Sequence, residues 1–355
     1  YEISLGLVGS EMCIRDRHCG GLVSKSALND LGIEPSVKSF ECKINSAKIF
    51  FPNDNHFNLD SRNQKIIVVN RRELDKQAAR QAKDNGAEII VKASFKNKTL
   101  NKIETTIGEF DCKVFVDCRG ASVLVNKNKD GTYPTAQYEV YADWIKKDQV
   151  EVYLDQEKFP GFFAWIIPSG DGVGKVGVSG NLVSSISTIN EFLENKGNFS
   201  VIRKIYAPIW IKGPIKQFVH GNTVIVGDAA GQAKPTTAGG IYSCGMAGIF
   251  AGQSISKYLK TNDESDLRNY ETLWRNKFGK EFEKQILARK ILSRIDNSTV
   301  NKIFNLITPE IIEDVSKKDD FDFHTNSIIK LLGLKGTLGT AQALIGNEIK
   351  KLIPS

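Results

Sequence analysis

Alternating and continuous apolar stretches, separated by short polar turns, divide the first third of the chain into strands and helices. The segment at residues 72–85 has apolar positions at helical spacing, and Gly86 follows it as a typical stop signal. Strand, helix, strand, small meander and strand succeed one another, an order that is typical of a dinucleotide-binding domain. The predicted elements are helices at residues 24–31 and 72–85, a turn at residues 52–55, and strands at residues 42–51, 66–70, 88–93, 94–100, 102–109 and 113–117.

From about residue 133 to residue 206 the pattern consists of short strands, which predicts an antiparallel sheet carrying a pocket. A strand, a glycine-rich loop and a helix then return at residues 219–258. Residues 266–294 have the spacing of one long amphipathic helix, and residues 300–355 continue helically with glycine breaks. The chain is therefore predicted to have a mixed α/β fold that ends in a helical region. Within the sheet, strands are predicted at residues 138–142, 150–154, 162–168 and 174–178, and a helix at residues 187–196.

An apolar strand that ends in Gly-Asp and continues through a glycine-rich loop is the most informative feature of the chain. It reads Val-Ile-Val-Gly-Asp-Ala-Ala-Gly at residues 224–231, followed by Pro-Thr-Thr-Ala-Gly-Gly-Ile at residues 235–241. The carboxylate can accept hydrogen bonds from hydroxyls, while free N–H groups at a helix start favour anionic groups. A tight turn without a ligand is the alternative, and we favour a cofactor loop. The residues predicted to bind the cofactor here are Gly227, Asp228, Ala230, Gly231, Gly239, Gly240 and Ile241.

A second motif is a strand with a proline at each end, at residues 160–168. Because side chains alternate along a strand, Phe163, Trp165 and Ile167 should lie on one face and form an apolar wall. Such a wall could contact a flat ring or a long hydrocarbon chain. On the pattern alone, an ordinary core strand is the favoured interpretation.

Composition narrows the class of protein. The chain has 355 residues and a net charge of +7, which is compatible with anionic lipid, nucleotide or nucleic acid and requires none of them. No run of about 18 apolar residues occurs, so no transmembrane helix is predicted. The six cysteines form no CxxC pair and the four histidines are scattered, which argues against zinc and disulfides and indicates a reducing cytoplasm. Basic residues late in the chain could contact a membrane surface, although a solvated helix face is the favoured interpretation; they are Lys284, Arg289, Lys290, Arg294, Lys330, Lys335, Lys350 and Lys351.

Together the two motifs resemble the geranylgeranyl reductase family of flavoproteins, within the larger group that includes the aromatic hydroxylases. That family has a Pro-x-x-Tyr-x-Trp-x-Phe-Pro motif, which Pro160, Trp165 and Pro168 match, while Phe163 and Ile167 replace its Tyr and Phe. The two replacements keep the wall but remove a phenol hydroxyl. The resemblance implies that Phe163, Trp165, Ile167 and Pro168 bind the substrate.

Three further stretches carry the resemblance. The first is Arg-Arg-Glu-Leu-Asp at residues 71–75, and the family's arginine at this point approaches the flavin, so Arg71 is implied as a cofactor residue. The second is Cys-Gly-Gly at residues 19–21, which is similar to a loop that these reductases place near the flavin and implies a catalytic Cys19. For both residues an ordinary surface or packing role is an equal alternative. The third, the strand end at Asp117, fits a structural role, and near the substrate motif Gly177 matches a family Gly-x-Gly whereas Ser179 departs from it.

The family begins with a strand, Gly-x-Gly-x-x-Gly and a helix, and this chain lacks that fingerprint, since Gly6-x-x-Gly9 does not match it. Residues 1–17 resemble a translated sequencing-adapter tail, so we expect no fold information in them; a genuine strand and turn is the alternative. The chain is therefore expected to be a fragment that lacks the first βαβ unit of its FAD-binding domain. The predicted division is residues 18–35, 62–130 and 207–260 for the FAD-binding domain, residues 36–61 and 131–206 for the substrate-binding sheet domain, and residues 261–355 for the helical region.

The resemblance implies FAD-dependent reduction of isolated C=C bonds in geranylgeranyl chains of isoprenoid lipids, by hydride transfer from reduced flavin. Archaeal-type membrane lipids are the favoured substrates, ahead of chlorophyll- or quinone-type prenyl tails. The expected partners are the lipid, a ferredoxin or nicotinamide electron donor, and the inner face of the membrane by peripheral contact; no nucleic acid is expected. The alternatives are a flavin monooxygenase or halogenase of the aromatic-hydroxylase type, and an inactive FAD-fold fragment or lipid-binding protein.

Overall fold

The computed structural model describes residues 19–127, 129–318 and 320–324. The predicted N-terminal tail, and the part of the predicted C-terminal helical region after residue 324, lie outside the described residues. The strands are β1 (Leu22–Ser24), β2 (Phe40–Lys43), β3 (Ser46–Phe50), β4 (His56–Asp60), β5 (Ile66–Val69), β6 (Phe95–Lys98), β7 (Lys102–Thr105), β8 (Gly108–Asp111), β9 (Phe115–Asp117), β10 (Thr132–Tyr141), β11 (Gln149–Tyr153), β12 (Ala164–Gly170), β13 (Val173–Ser179), β14 (Ser200–Trp210), β15 (Val219–His220) and β16 (Thr223–Ile225).

The hydrophobic core behind the glycine-rich loop is formed mainly by residues of α-helices. Among the described helices, none combines the length and the apolar character that crossing a bilayer requires. The helices are α1 (Lys25–Asp30), α2 (Arg71–Asp84), α3 (Ser122–Val125), α4 (Ser185–Glu194), α5 (Ile241–Thr261), α6 (Glu264–Trp274), α7 (Lys280–Leu292), α8 (Asn297–Phe304) and α9 (Pro309–Lys318).

A seven-stranded sheet forms the central layer, in the order β14-β10-β13-β12-β11-β3-β4. Its pairs are antiparallel except for β11 with β3, which are parallel. One face is covered by α4, where Ile189 and Leu193 are fully buried against Tyr138 and Val176. Each strand therefore needs apolar residues at every second position on that face, which is the alternation that the sequence shows.

Three smaller sheets surround this layer. One has the order β1-β5-β2, and a second has the order β15-β16-β9, in which β16 runs parallel to β9. The third is the meander β6-β7-β8. Parallel pairing brings the ends of β9 and β16 to the same edge, where the loop after Ile225 begins.

Most predicted elements are present, but three predicted strands need correction. The predicted strand at residues 42–51 is two strands that join different sheets, because the chain turns between β2 and β3. The predicted strand at residues 88–93 was wrong: that segment pairs with no described strand, and Lys92 takes a left-handed φ of 60°. The predicted strand at residues 102–109 turns back at Ile107 to form β7 and β8. Sequence reasoning also missed β4 and the edge strand β14.

The predicted long helix at residues 266–294 is interrupted by one widened turn. A π-helical turn at Arg275–Gly279 separates α6 from α7 without breaking the helical path. Tyr270, Trp274, Phe278 and Phe282 are four residues apart and are all buried. Each four-residue step overshoots an α-helical turn by about 40°, so the wider turn returns these rings to one face.

The glycine-rich loop approaches the neighbouring chain very closely at one point. Gly231 has a φ of 70°, and a Cβ there would lie 2.2 Å from the carbonyl oxygen of Gly213. The Trp210 Nε1–H donates to the same Gly213 oxygen at 2.8 Å, which keeps that oxygen in place. Only glycine therefore fits at position 231.

We expect Gly231→Ala to lower the free energy of unfolding by about 3 kcal/mol, because left-handed strain and a backbone collision add together. Gly221→Ala is the matched control: its φ is 55°, but a Cβ there meets nothing within 4 Å, so a loss of about 1 kcal/mol is expected. Urea unfolding of the two variants measures the difference. Equal losses would show that the close approach to Gly213 is not rigid.

Candidate active site

The loop after β16 places the predicted acidic residue at the protein surface. Gly227–Ala230 forms a 3₁₀ turn, and Gly227 takes a φ of 73°, which reverses the chain after the strand. Asp228 is exposed, whereas Ala229 and Ala230 are buried beneath it. The carboxylate is therefore presented to solvent from a well-packed turn.

A buried polar network holds this loop in shape. The Gln232 side-chain oxygen accepts from the Gly227 N–H at 2.7 Å, and its amide nitrogen donates to the Tyr270 hydroxyl at 2.9 Å. The Tyr270 hydroxyl in turn donates to the Ile225 carbonyl at 3.0 Å. Since Gln232 and Tyr270 are fully buried, each unmade bond would leave a polar group without water, which costs about 1–3 kcal/mol.

The start of α5 lies against the same turn. No side chain caps this helix at Gly240, so its first N–H groups are not taken up by a capping side chain. A Cβ on Gly240 would lie 3.0 Å from the Cys244 sulfur and 3.3 Å from Asp228 Oδ1. Gly239 and Gly240 thus keep the space in front of the helix clear, and Ile241 begins the helix itself.

Cys244, which sequence reasoning missed, joins the helix to the acidic residue. Its thiol donates to Asp228 Oδ1 at 3.4 Å. Burial and the negative charge of Asp228 raise the pKa of Cys244 well above the ordinary value, while the Arg71 cation opposes this effect. Cys244 is therefore a neutral thiol at neutral pH. Its position one turn into a helix that follows a glycine-rich loop is a signal that the sequence contained.

Arg71 connects the loop to the Cys19 segment. Its Nη1 donates to the Cys19 sulfur at 3.2 Å, and its Nη2 lies 3.3 Å from Asp75 Oδ1. Burial opposes the charge, yet the Cys19 sulfur and the Asp75 carboxylate raise the pKa of Arg71 above its ordinary value. Arg71 thus pairs with Cys19 and Asp75, and its positive charge also acts to lower the pKa of Cys244, the thiol that donates to Asp228.

The predicted apolar wall lies at the other side of the Cys19 segment. Trp165 and Ile167 share one face of β12, where Trp165 packs against the cluster that contains Ile167. Phe163 precedes the strand and meets the Trp165 ring at 5.8 Å between centroids. A Cβ on Gly20 would lie 2.3 Å from Ile167 Cδ1, so the segment next to Cys19 rests directly on the wall.

The departures from the family motif have local consequences. The Ser179 hydroxyl donates to the Pro134 carbonyl at 3.0 Å and accepts from Thr135, so it is consumed within the sheet. A Cβ on Gly177 would lie 2.2 Å from the Trp165 ring, which explains why a glycine stands opposite that tryptophan. Pro168 is buried, and its carbonyl accepts from the Cys42 thiol at 3.3 Å.

Residues 321–324, here called the C-terminal clasp, lie across these parts. Asp322 accepts from the Ser24 hydroxyl at 2.5 Å and lies 3.6 Å from the Lys234 ammonium. His324 Nε2 lies 2.9 Å from the Thr236 hydroxyl, and Phe321 packs against the cluster that contains Ile167. No pattern in the sequence pointed to these contacts, because the clasp is far from its partners along the chain.

The chain matches no model of a known protein family. Several curated proteins are nevertheless similar to it over most of its length. An uncharacterised protein of Methanocaldococcus jannaschii is 29% identical over 338 residues, covering 88% of this chain and 85% of that protein. Digeranylgeranylglycerophospholipid reductase 2 of Methanopyrus kandleri is 25% identical over 336 residues, covering 86% and 84%. The digeranylgeranylglycerophospholipid reductase of Methanocaldococcus jannaschii is 28% identical over 305 residues, covering 78% of each chain.

The chain is thus similar over most of its length to several digeranylgeranylglycerophospholipid reductases, at 25–28% identity, which supports the family resemblance seen in the sequence. A solved geranylgeranyl bacteriochlorophyll reductase-like protein of Thermoplasma acidophilum shares the fold with a TM-score of 0.79 at 20% identity, over 95% of this chain and 89% of that one. A flavin-dependent halogenase shares it with a TM-score of 0.64 at 14% identity, over 96% and 67%. The predicted fold class, mixed α/β of the aromatic-hydroxylase type, is thereby confirmed.

The burial of His324 in the clasp leads us to expect that the stability of the protein depends on pH. Burial and the nearby Lys234 cation lower the pKa of His324 to about 3, whereas an unfolded histidine titrates near about 6.5. Between these values the unfolded chain binds the additional proton, so the free energy of unfolding falls as pH falls, by about 2 kcal/mol from pH 7 to pH 5.

Urea unfolding between pH 5 and pH 7 measures this loss, and His324→Gln should remove most of it. Carboxylates with a lowered pKa, such as Asp266, act at lower pH because their unfolded values lie near about 4. The same slope in the variant and the parent would exclude His324 as the titrating group.

Proposed function

We propose that this protein reduces isolated C=C bonds in geranylgeranyl chains of isoprenoid lipids with a reduced flavin. One observation carries the proposal: the apolar wall lies directly against the segment that holds Cys19 and its hydrogen-bond partner Arg71. Ile167 touches Gly20, Cys19 is hydrogen-bonded to Arg71, and the Arg71 charge acts on Cys244 beside Asp228. An apolar surface for a hydrocarbon thus adjoins a polar site suited to a cofactor, and the names of the curated relatives support this pairing.

The residues present fit a flavin. Asp228 offers an exposed carboxylate that can accept from the hydroxyls of a ribityl chain, and the uncapped start of α5 offers N–H groups to electron-rich ring atoms. Gly240 leaves open the space that a side chain would fill. Gly227, Ala230, Gly231, Gly239 and Ile241 shape this site through the backbone, and Arg71 adds a fixed positive charge. When bound, the reduced flavin would supply the hydride.

The wall would hold the alkene in an apolar environment. Phe163, Trp165 and Ile167 present ring and aliphatic surface at the start and along one face of β12, and Pro168 follows them on the same strand. An isolated alkene carries no charge to be recognised, so orientation depends on burying its methyl-branched chain against such a surface. Exclusion of water by the same surface limits side reactions of any positive charge that develops on the alkene.

Reduction of an alkene also requires a proton on the second carbon, and Cys19 is the proposed donor, directly or through a water. The Arg71 Nη1 lies 3.2 Å from its sulfur, so the cation would stabilise the negative charge left there after transfer. Cys244 is less suited to this role because its thiol already donates to Asp228.

A flavin-dependent monooxygenase or halogenase is the second candidate, because the fold is shared with a halogenase at a TM-score of 0.64. The proline-bracketed motif that contains Trp165 argues against it, since enzymes of the aromatic-hydroxylase type are not expected to carry this motif. The proposed partners are the isoprenoid lipid, a ferredoxin or a nicotinamide cofactor as electron donor, and peripheral contact with a membrane. We also propose the domain division that the sequence predicts. Residues 18–35, 62–130 and 207–260 form the FAD-binding domain, residues 36–61 and 131–206 form the substrate-binding sheet domain, and residues 261–355 form the helical region.

Anaerobic flavin reoxidation tests the reductase proposal. The protein should bind FAD or FMN, and its chemically reduced form should be reoxidised by a geranylgeranyl lipid with loss of one C=C bond per flavin. Trp165→Ala should slow this reoxidation at least tenfold at limiting lipid because the wall is lost. Trp144→Ala is the matched control, since Trp144 packs near Gly197, away from the wall, and should change the rate less than twofold. Flavin binding without lipid-dependent reoxidation would favour the monooxygenase class, and no flavin binding would contradict the cofactor.

Replacing Cys19 tests the proton donor. Cys19→Ala should lower the reoxidation rate at saturating lipid at least tenfold while leaving lipid affinity unchanged, because the proton is needed only in the chemical step. Cys112→Ala serves as the control and should change the rate less than twofold, since Cys112 follows β8 in the small meander, where its backbone N–H donates to the Asn101 carbonyl. An unchanged rate in Cys19→Ala would remove this thiol from the mechanism.

A further inference from the structure

The C-terminal clasp contacts three parts of the candidate site: the segment that follows Cys19, the cofactor loop and the apolar wall. Asp322 bonds the Ser24 hydroxyl at the end of β1, five residues after Cys19. The Lys234 ammonium donates to the Phe321 carbonyl at 3.1 Å, and His324 meets Thr236. Both loop residues lie between Asp228 and the start of α5. The clasp therefore ties the Cys19 segment to the cofactor loop from outside both.

The contact between Asp322 and Lys234 is buried on both sides. Each residue is only 7% exposed, and Asp322 is the largest of the negative charges that oppose the effect of burial on the pKa of Lys234, ahead of Asp320 and Glu281. Removing one member of a buried pair leaves an uncompensated charge, which is far more destabilising than loss of a surface pair. Without the carboxylate, Lys234 would therefore have to move towards water, and the loop would move with it.

The loop has two anchors besides the clasp: the Thr236 hydroxyl donates to the Gln285 side-chain oxygen at 3.2 Å, and Ala238 packs against the cluster that contains Ile209. Its internal backbone bonds are from the Lys234 N–H to Gly239 and from the Ala238 N–H to Lys234, and Ala238 takes a left-handed φ of 55°. A non-glycine residue in that conformation is strained and needs its surroundings to keep it there. The clasp supplies such surroundings, since it contacts the loop at both Lys234 and Thr236.

Phe321 gives the clasp a second contact, with the apolar wall. Its ring packs against the same cluster as Trp165 and Ile167, and the Lys234 ammonium lies 4.6 Å from the ring centroid. Phe323 points elsewhere: it stacks on Phe278 at 5.7 Å between centroids. The two phenylalanines therefore contact different regions: Phe321 packs on the wall, and Phe323 packs on the helical core.

We infer that the clasp completes the candidate site, with Asp322 as a positioning residue for the cofactor loop and Phe321 as an additional wall residue for the isoprenoid chain. The part concerning Phe321 rests on the proposed function, whereas the part concerning Asp322 does not. Asp322 acts through Lys234 and Ser24 and touches neither substrate nor cofactor.

Hydrogen exchange of the protein without flavin or lipid tests Asp322. Asp322→Asn should speed exchange of the Lys234 and Ala238 amides about tenfold and leave Ala247, inside α5, unchanged. Asp322→Glu should restore most of the protection because it restores the charge. Glu313→Gln, which breaks an exposed pair with Lys317, is the control and should change none of these amides. Equal acceleration at Ala247 would mean a general loss of stability, and no acceleration would mean that the loop holds itself; either result overturns the positioning role.

Equilibrium binding of a geranylgeranyl lipid to the protein with oxidised flavin tests Phe321. Phe321→Ala should raise the dissociation constant about tenfold, and Phe323→Ala should change it less than twofold. An unchanged constant, or tighter binding, would overturn the wall assignment, since tighter binding would mean that Phe321 obstructs the chain. If the parent protein binds no such lipid, the proposed function fails, and the exchange experiment still decides the role of Asp322.

Discussion

The buried hydrogen bonds of Gln232 are the constraint on which the candidate site depends. A loop that leaves a strand at Gly227 cannot satisfy its own N–H groups by strand pairing, and Gln232 and Tyr270 replace that pairing inside the core. The helix that carries Tyr270 is fixed in turn by Trp274, whose indole donates to the Ser243 carbonyl at 3.1 Å. The exposed position of Asp228 is thus a product of the helical core behind it.

Charge compensation links the loop to the rest of the site. Arg71 stands between the Cys19 sulfur and the Asp75 carboxylate, and Lys234 stands against Asp322. Each cation lies largely away from water, so each must keep its partner, and this requirement fixes the relative positions of β1, α2, the loop and the clasp. The apolar wall needs no such pairing and is held by packing against β2, β5 and the neighbouring strands of its own sheet. The site therefore combines a polar half fixed by charges with an apolar half fixed by packing.

The fold shared with a flavin-dependent halogenase shows that the architecture alone does not select a reaction. In this chain the site has a local feature of its own: a tryptophan and an isoleucine share one face of β12, with Gly177 opposite the indole and Gly20 against Ile167. These glycines admit bulky side chains on the facing strand and segment. Small residues at these two positions thus make room for the apolar wall within a common fold.

Elements that depend on short-range sequence patterns could be predicted without the structure. The alternation in β12, the helical spacing of α2 and the Gly-Asp turn were all readable because periodicity and turn chemistry act over a few residues. The cofactor loop and the wall were predicted for the same reason, and their roles stay proposals. The three-dimensional structure was needed to show that residues 88–93 form no strand, because a strand requires a neighbouring strand whose backbone groups it can pair with. It also decided the contacts of Arg71 with Cys19 and of Asp322 with Lys234, because partners that are 52 and 88 residues apart leave no mark in a local pattern.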